Sequence, residues 1–281
     1  MGLCVMGNGL RPLLLYFTFS CFIFIILLFG LWHIVIPDDL IKKRIEDSFA
    51  SEGIKLKTEG LRKGLFYSLT IDRIVLNSIQ DTPHSFNISN IKAGLDFLSL
   101  LKLRPLIIIT ASIAGGRLSG DFSILNSLFN LTIEKAELEN MGFLNDNGIA
   151  GRGLISGTAL FYLKESKGNM RFRILDADLK DITGRIYLPL SLFKTVRGFI
   201  EFSRGVIIIH SLSLEGNGIY GKIQSRHGGT RFRTQDMIFL DGSVEVMVNS
   251  DFSMPQLVDL GLLRYRKSPG YYIIPLDNYR L

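Results

Sequence analysis

A glycine motif is the first candidate for chemistry in this sequence. Residues Gly216 to Gly221 match the G-x-G-x-x-G pattern, which cradles a dinucleotide pyrophosphate when it connects a strand to a helix. Residues 206–215 before the motif resemble a strand. Residues 222–229 after it include two adjacent glycines and are not compatible with a long helix. We therefore interpret the motif as a hairpin turn and not as a nucleotide-binding loop.

An acidic cluster and the histidines are the candidates for metal or acid–base chemistry. Asp176, Asp178 and Asp181 lie close together, but a calcium loop needs a late Glu at a defined spacing, which is absent here. We interpret the cluster as a solvated strand-and-turn edge. His210 lies in an apolar stretch, where a hydrogen-bonded wall residue is favoured over a general base. The sequence has four histidines, which are His33, His84, His210 and His227. They are far apart and do not show the short spacing of metal ligands.

Other motifs for catalysis are missing from the sequence. It has no Gly-x-Ser-x-Gly elbow and no phosphate loop followed by Lys-Ser/Thr. The two cysteines, Cys4 and Cys21, are both near the N-terminus, so the remaining chain offers no disulfide and no cysteine metal ligand. Asn87 and Asn130 begin formal glycosylation sequons of a kind that arises by chance. The sequence predicts no enzyme and no catalytic, cofactor or metal site.

The most informative element is an apolar run from Leu13 to Ile36. It contains no Asp, Glu, Lys or Arg, and about 20 apolar residues cross a bilayer as a helix. A cleaved signal peptide is the alternative, but its apolar region is about 7–15 residues long and ends at small residues. The sequence around Trp32 contains no such small-residue cleavage site. An indole near the end of a span favours the membrane interface. We therefore predict a single-pass anchor that contacts the lipid bilayer.

The charges that flank this run favour a cytoplasmic body. Arg11 precedes the run, whereas Lys42, Lys43 and Arg44 follow it. The positive-inside rule counts Lys and Arg, so taken literally it retains the C-terminal side in the cytoplasm. That bias is small, and a long translocated domain overrides a small bias.

Residues 37–52 predict a short amphipathic linker helix. Asp38 follows Pro37 and is expected to cap the helix, which Gly53 is expected to end. Its apolar residues recur at spacings of three and four and are Leu40, Ile41, Ile45 and Phe49.

The rest of the chain, residues 53–281, predicts a mainly β domain. Apolar residues alternate with polar ones, as in Met170 to Ile174 and Val244 to Val248, which is typical of half-buried strands. Ile182 to Leu188 alternates in the same way. Turns are predicted at Gly115-Gly116, Asn145 to Gly148, Lys167 to Asn169 and Asp241-Gly242. The expected fold is an elongated, curved antiparallel sheet with short helices at Leu95 to Lys102, Leu190 to Arg197 and Gln256 to Leu263.

A glycine pattern recurs along the predicted strands. Gly116 to Gly120 and Gly153 to Gly157 share the form Gly-x-apolar-x-Gly, and Val196 to Phe202 is a weaker copy. Glycines within strands mark bulges or bends where a sheet curves. The 281 residues carry a net charge of +6, but the basic residues are scattered, so we predict no nucleic-acid partner.

These elements together resemble a known family. The stretch Gly64 to Ile74 after the linker helix, the stretch Ile113 to Gly120 and the strand Gly205 to Glu215 followed by Gly221 to Ile223 carry the resemblance. The arrangement is similar to the type II secretion system protein N family, GspN, in its long bacterial form, and to the wider AsmA-like envelope proteins. The similarity extends from the anchor to about Phe252.

The resemblance implies a bacterial inner-membrane anchor, a periplasmic β-rich body and no catalytic residues. Residues 1–12 are then cytoplasmic, 13–36 span the membrane and 53–281 lie in the periplasm, against the literal charge count. We expect a non-enzymatic component of the type II secretion machinery whose partners are secretion-system or envelope proteins. The alternative is an AsmA-like protein that binds or transfers phospholipid on the apolar face of its sheet.

Overall fold

The computed structural model describes residues 10–50, 54–65, 67–78, 86–141, 149–181, 190–203, 206–224, 230–233, 238–239, 242–250 and 262–276. Helices occupy the N-terminal part, and one large antiparallel sheet occupies the rest. The prediction of a mainly β protein with an N-terminal apolar helix and a few short helices is confirmed.

Two helices joined by a π-helical turn form the N-terminal part. Helix α1 spans Leu10–Gly30, the π turn spans Leu31–Val35, and helix α2 spans Asp38–Ala50. The 18 residues Thr18–Val35 have a mean hydropathy of 2.3 and contain too few charges to prevent membrane crossing. This part of the chain is therefore long and apolar enough to span a membrane.

Within the described residues, the sheet contains seventeen strands. They are β1 (Ile54–Glu59), β2 (Arg62–Gly64), β3 (Ser68–Ser78), β4 (Phe86–Leu95), β5 (Leu106–Ile113), β6 (Gly116–Ser123), β7 (Leu128–Glu137), β8 (Ile149–Tyr162), β9 (Lys167–Asp181), β10 (Phe193–Ser203), β11 (Val206–Gly216), β12 (Ile219–Gln224), β13 (Thr230–Arg233), β14 (Ile238–Phe239), β15 (Ser243–Val248), β16 (Arg266–Ser268) and β17 (Tyr271–Pro275). A short helix, α3 (Phe97–Leu101), lies between β4 and β5.

The strands follow one another as a meander. Strands β1 and β2 pair with different parts of β3, and each strand from β3 to β11 then pairs with the next one along the chain. Strand β11 pairs with both β12 and β13, after which β12 pairs with β15 and β15 with β17. The hairpins predicted at Gly115 and Gly218 are confirmed, and both glycines have a positive φ.

Bulges bend the central strands opposite the Gly153 to Gly157 copy of the glycine pattern. In the β8–β9 pair the extra residue lies on β9, where Asp176 has a φ of +51°, and Gly153 lies opposite with a φ of +143°. In the β7–β8 pair the extra residue lies on β7, between Ile133 and Ala136. An extra residue in one strand bends that strand and increases its twist. The sheet is therefore curved over β7 to β9.

Two local predictions are wrong. Leu190 to Arg197 is not a helix: only Leu190–Leu192 forms a 3₁₀ turn, and Phe193 begins β10, which pairs with strands on both sides. Lys167 to Asn169 is not a turn but the start of β9, because Ser166 takes the left-handed conformation and completes the turn earlier. Five further predictions lie wholly or partly outside the described residues. They are the helix stop at Gly53, the turn 145–148, the strand 182–188, the turn at Asp241-Gly242, of which only Gly242 is described, and the helix 256–263. Of that helix only Leu262 and Leu263 are described, and they fall in a 3₁₀ turn.

Candidate functional site

One face of the sheet, the inner face, is apolar from end to end of its long strands. At one end lies a row of directly paired residues that are almost completely buried, including Ala136 and Val246, each with 0% exposure. The members of this buried row are Ala136, Ile155, Ile174, Val196, Leu214, Gly221, Val246 and Tyr272. Together they form the central part of the hydrophobic core.

At the other end of the same strands, a row of aromatic residues lies on the same face. The members of this phenylalanine row are paired from β5 to β11 and are Ile107, Phe122, Phe129, Phe161, Gly168, Phe202 and Ile207. The six side chains of this row are half-buried, in contrast to the buried row, and Gly168 between them is buried. At about 4.8 Å per strand, the row is roughly 30 Å long.

A glycine lets two of these rings approach each other. Gly168 pairs with Phe161 on one side and with Phe202 on the other. The two ring centroids are 6.1 Å apart, and a Cβ added at Gly168 would lie 2.5 Å from the Phe161 ring. The two rings therefore extend over β9 at Gly168 and make the apolar surface continuous across that strand.

Glycines shape the middle of the inner face in the same way. Phe172 on β9 pairs with Gly157 on β8 and with Gly198 on β10. A Cβ at Gly198 would lie 2.4 Å from the Phe172 ring. The Phe172 ring therefore occupies the space that Gly198 leaves open, whereas Gly157 allows the backbone of β9 to approach closely. The recurrent Gly-x-apolar-x-Gly pattern was the sequence signal for these positions.

The outer face of the same strands is polar. Arg197 forms an ion pair with Glu215 at 3.2 Å. The guanidinium of Arg171 lies 5.1 Å from the centre of the Phe199 ring. His210, at a bulge of β11, stacks on Phe199 with centroids 5.0 Å apart, and its Nε2 lies 2.9 Å from a carboxylate oxygen of Glu201. The inner and outer faces thus differ sharply in polarity, as in a sheet with one solvated side.

Among the described side chains, which exclude those of Asp181, His84 and His227, the candidate metal ligands are not brought together. Asp178 contacts Arg152 at 3.4 Å, and Asp176 lies exposed on the same strand, whose last residue is Asp181. Asn130, from one sequon, donates a hydrogen bond to Asp121. Within the described parts of the chain, no group of three or more His, Cys, Asp or Glu side chains is placed to hold a metal ion.

A lysine connects the N-terminal helices to the sheet. The ammonium of Lys63, on β2, donates hydrogen bonds to the carbonyl oxygens of Trp32, His33 and Ile36. It also forms an ion pair with Asp38 at 3.2 Å, and the Lys63 side chain is only 8% exposed. The end of a helix leaves carbonyl groups without intrahelical partners, and the ammonium satisfies three of them.

Two aromatic side chains complete this junction. The indole of Trp32 donates to the carbonyl oxygen of Gly64 at 3.0 Å, and the hydroxyl of Tyr67 donates to the carbonyl oxygen of Leu28 at 2.9 Å. The two rings are 5.0 Å apart. Trp32 is therefore buried against the sheet, with 8% exposure. Its expected position at the membrane interface stays a prediction.

Helix α2 is attached to the first strand by a carboxylate. Glu46 accepts hydrogen bonds from the backbone N–H of Thr58 at 2.9 Å and from its hydroxyl at 2.7 Å, and Thr58 is completely buried. Partial burial raises the pKa of Glu46, but the Thr58 hydrogen bonds and the charges of Lys42 and Lys57 outweigh it, so the pKa is lowered. The ionised carboxylate therefore stabilises this contact.

Comparisons with protein-family models, with functionally described proteins and with solved structures found no match to this chain. The resemblance to GspN and to AsmA-like proteins therefore stays a prediction. The apolar inner face and the helix–sheet junction are the features that bear on function. Neither the phenylalanine row nor the Lys63 junction was predicted, because both depend on pairing between residues far apart in the sequence.

Proposed function

We propose that this protein is held in a membrane by its N-terminal helix and that the inner face of its sheet binds lipid acyl chains. The phenylalanine row carries the proposal. It is a half-buried apolar surface that extends over the strands from β5 to β11. Binding sites for apolar ligands are concave and lined mainly by hydrophobic and aromatic side chains.

Acyl chains suit this surface because they need no polar partners. The paired residues of the phenylalanine row offer no hydroxyl, amide or charge to a ligand. Removing apolar surface from water contributes about 25 cal/mol per Å². An acyl chain that covers the row therefore gains free energy along its whole length, with little selectivity for the lipid headgroup.

The cellular location belongs to the same proposal. The apolar helix supports a single-pass anchor, and the family resemblance supports the bacterial inner membrane with a periplasmic body. Alkaline phosphatase fused after Leu281 tests the orientation. Activity of the fused enzyme is the expected result, and an inactive fusion together with a fluorescent cytoplasmic reporter at the same position would contradict it.

A role in type II secretion stays a prediction that rests on the resemblance. No described contact distinguishes a secretion partner from another envelope protein. The non-enzymatic interpretation stays a prediction as well.

Lipid extraction followed by mass spectrometry tests the acyl-chain site. The full-length protein purified in detergent is expected to retain phospholipid, and Phe129→Asp on the inner face is expected to lose most of it. Phe199→Asp is the matched control, because Phe199 is equally half-buried but lies on the outer face. Circular dichroism must show the same strand content for both variants.

A second measurement keeps the proposal testable if Phe129→Asp does not fold. A phospholipid with a photoreactive acyl chain is expected to crosslink wild-type protein within β6 to β9 on the inner face. Wild-type protein without lipid, or crosslinks confined to the outer face, would overturn the proposal.

A further inference from the structure

Helix α3 has an inverted pattern of burial. Its polar residue, Ser99, is buried, whereas its large apolar residues are exposed. Leu98 is 69% exposed and Leu101 is 82% exposed. None of the apolar residues of α3 belongs to the hydrophobic core or to the half-buried residues packed on it. A contiguous apolar surface of this kind marks an interaction site.

Hydrogen bonds hold α3 in this orientation. The carboxylate of Asp96 accepts from the backbone N–H of Leu98 at 3.1 Å and caps the helix. The hydroxyl of Ser99 donates to the carbonyl oxygen of Asp96 and accepts from the N–H of Leu106. The single buried side chain therefore fixes the helix to β5 and leaves the leucines on the outside.

Leu103, just after α3, occupies a backbone conformation that leucine rarely adopts. Its φ is +55°, and the left-handed region costs a residue with a Cβ roughly 1–2 kcal/mol. Glycine or asparagine is the usual residue there. The side chain that this position carries instead is 83% exposed. An exposed leucine at a strained backbone position indicates that this apolar surface takes part in an interaction.

Two further turns extend this surface along the ends of the strands. The N–H of Ile124 donates to the carbonyl oxygen of Pro105, and the N–H of Leu163 donates to that of Ser127. The β6–β7 and β8–β9 turns therefore continue from the α3 loop. The exposed apolar residues of these three loops form what we name the apolar rim: Leu98, Leu101, Leu103, Ile124, Leu125 and Leu163.

The rim lies beside the N-terminal helix. Phe97 and Leu100 of α3 line a cavity of about 460 Å³ together with Phe24 and Leu28 of α1. The residues before β1 that line the cavity run from Phe24 to Trp32, roughly 5 to 16 Å along the axis from Val35, the end of the apolar window, at 1.5 Å per residue. Helix α3 therefore lies beside the C-terminal part of the segment that is long enough to span a membrane.

Basic residues flank the exposed leucines. Lys102 and Arg104 are both exposed and alternate with Leu101 and Leu103. Long basic side chains extend toward lipid phosphates while neighbouring apolar groups enter the acyl region. This combination matches an anionic membrane surface.

We infer that the apolar rim enters the same membrane leaflet as the C-terminal part of the N-terminal helix, with lipid hydrocarbon around its leucines. The inference rests on the membrane anchoring proposed above. Phe122 and Phe161 lie two residues from the rim residues Ile124 and Leu163, so the phenylalanine row opens directly onto this leaflet. Acyl chains then reach the inner face from the bilayer without crossing water.

Fluorescent labels at single cysteines test the inference in the full-length protein. In a Cys4→Ser, Cys21→Ser background, an environment-sensitive dye is attached at Leu101→Cys on the rim, at Leu27→Cys on the helix or at Glu139→Cys. Glu139 is exposed and follows the opposite end of β7 from the rim. The proteins are placed in nanodiscs of phosphatidylethanolamine and phosphatidylglycerol, with or without acyl-chain nitroxide lipids.

The nitroxide lipids are expected to quench the labels at Leu27→Cys and Leu101→Cys several-fold more than the label at Glu139→Cys. Quenching at Leu27→Cys with none at Leu101→Cys would contradict the insertion of the apolar rim into the leaflet, but it would still support the membrane anchor. Absence of quenching at Leu27→Cys would overturn the anchor and the rim with it. The quenching of these labels does not depend on whether Phe129→Asp loses its bound phospholipid. The acyl-chain proposal is therefore tested separately.

Discussion

The Lys63 junction predicts a defined effect of one substitution. Lys63→Met keeps the aliphatic part of the side chain but removes the ammonium that contacts Trp32, His33 and Ile36. It also removes the ion pair with Asp38. We expect the N-terminal helix to separate from the β2–β3 turn in a fraction of molecules, while the sheet itself stays folded.

The magnitude follows from the burial of Lys63. A hydrogen bond from a charged donor contributes about 1.5–3 kcal/mol, but one ammonium shares its charge among several acceptors, so the bonds do not add. Asp38 is 46% exposed, which weakens the ion pair by solvent screening. A total of about 3 kcal/mol is reasonable for a mostly buried ammonium. This corresponds to about a hundredfold change in the docking equilibrium.

Trp32 makes this change measurable, because it is the only tryptophan in the chain. In nanodiscs, we expect Lys63→Met to shift the emission to longer wavelength and to speed hydrogen exchange in residues 62–70. Lys180→Met is the control, since Lys180 is exposed and lies on β9. Emission and exchange in Lys63→Met that equal those of the wild-type protein would refute the reasoning.

Two further predictions concern the linker helix and the inner face. Because the pKa of Glu46 is lowered in the folded protein, its stabilising contact with Thr58 is complete above the ordinary value of 4.5 and is lost as the pH falls through the lower folded value. Thermal unfolding of wild-type protein should show this loss, and Glu46→Gln should remove that part of the pH dependence; an unchanged pH profile would contradict the role of Glu46. Gly198→Ala places a Cβ 2.4 Å from the Phe172 ring and should cost about 1–3 kcal/mol by overpacking, seen as a melting temperature several degrees lower. Adding Phe172→Leu should restore part of the loss, and a melting temperature equal to wild type in Gly198→Ala would show that the ring moves freely.

Local patterns were sufficient for the fold class. The apolar helix follows from composition alone, because the transfer of about 20 apolar residues into a bilayer depends little on their neighbours. The strands at Met170 to Ile174 and Val244 to Val248 follow from alternation, since side chains point to opposite faces of a strand. The Asn217-Gly218 turn likewise follows from the positive φ that glycine tolerates.

Strand pairing decided the elements where the local pattern was ambiguous. The spacing of Leu190, Phe193 and Val196 fits one face of a helix, but Phe193 and Val196 can both be buried in a strand because the register of β10 shifts between Phe193 and Thr195. Pairing of β10 with β9 and β11 resolves the ambiguity in favour of a strand from Phe193 onward. Backbone hydrogen bonds to two neighbours outweigh a weak local propensity.

Only the tertiary structure revealed the features that suggest function. The phenylalanine row joins residues from Phe122 to Phe202, and its register depends on every pairing and bulge between them. Lys63 resembles a surface lysine in the sequence and becomes buried only because the π turn directs carbonyl groups toward it. The leucines of α3 resemble core residues, but the hydrogen bonds of Ser99 direct them outward. Local composition decides which segments are apolar, whereas long-range contacts decide which apolar side chains stay accessible to a lipid.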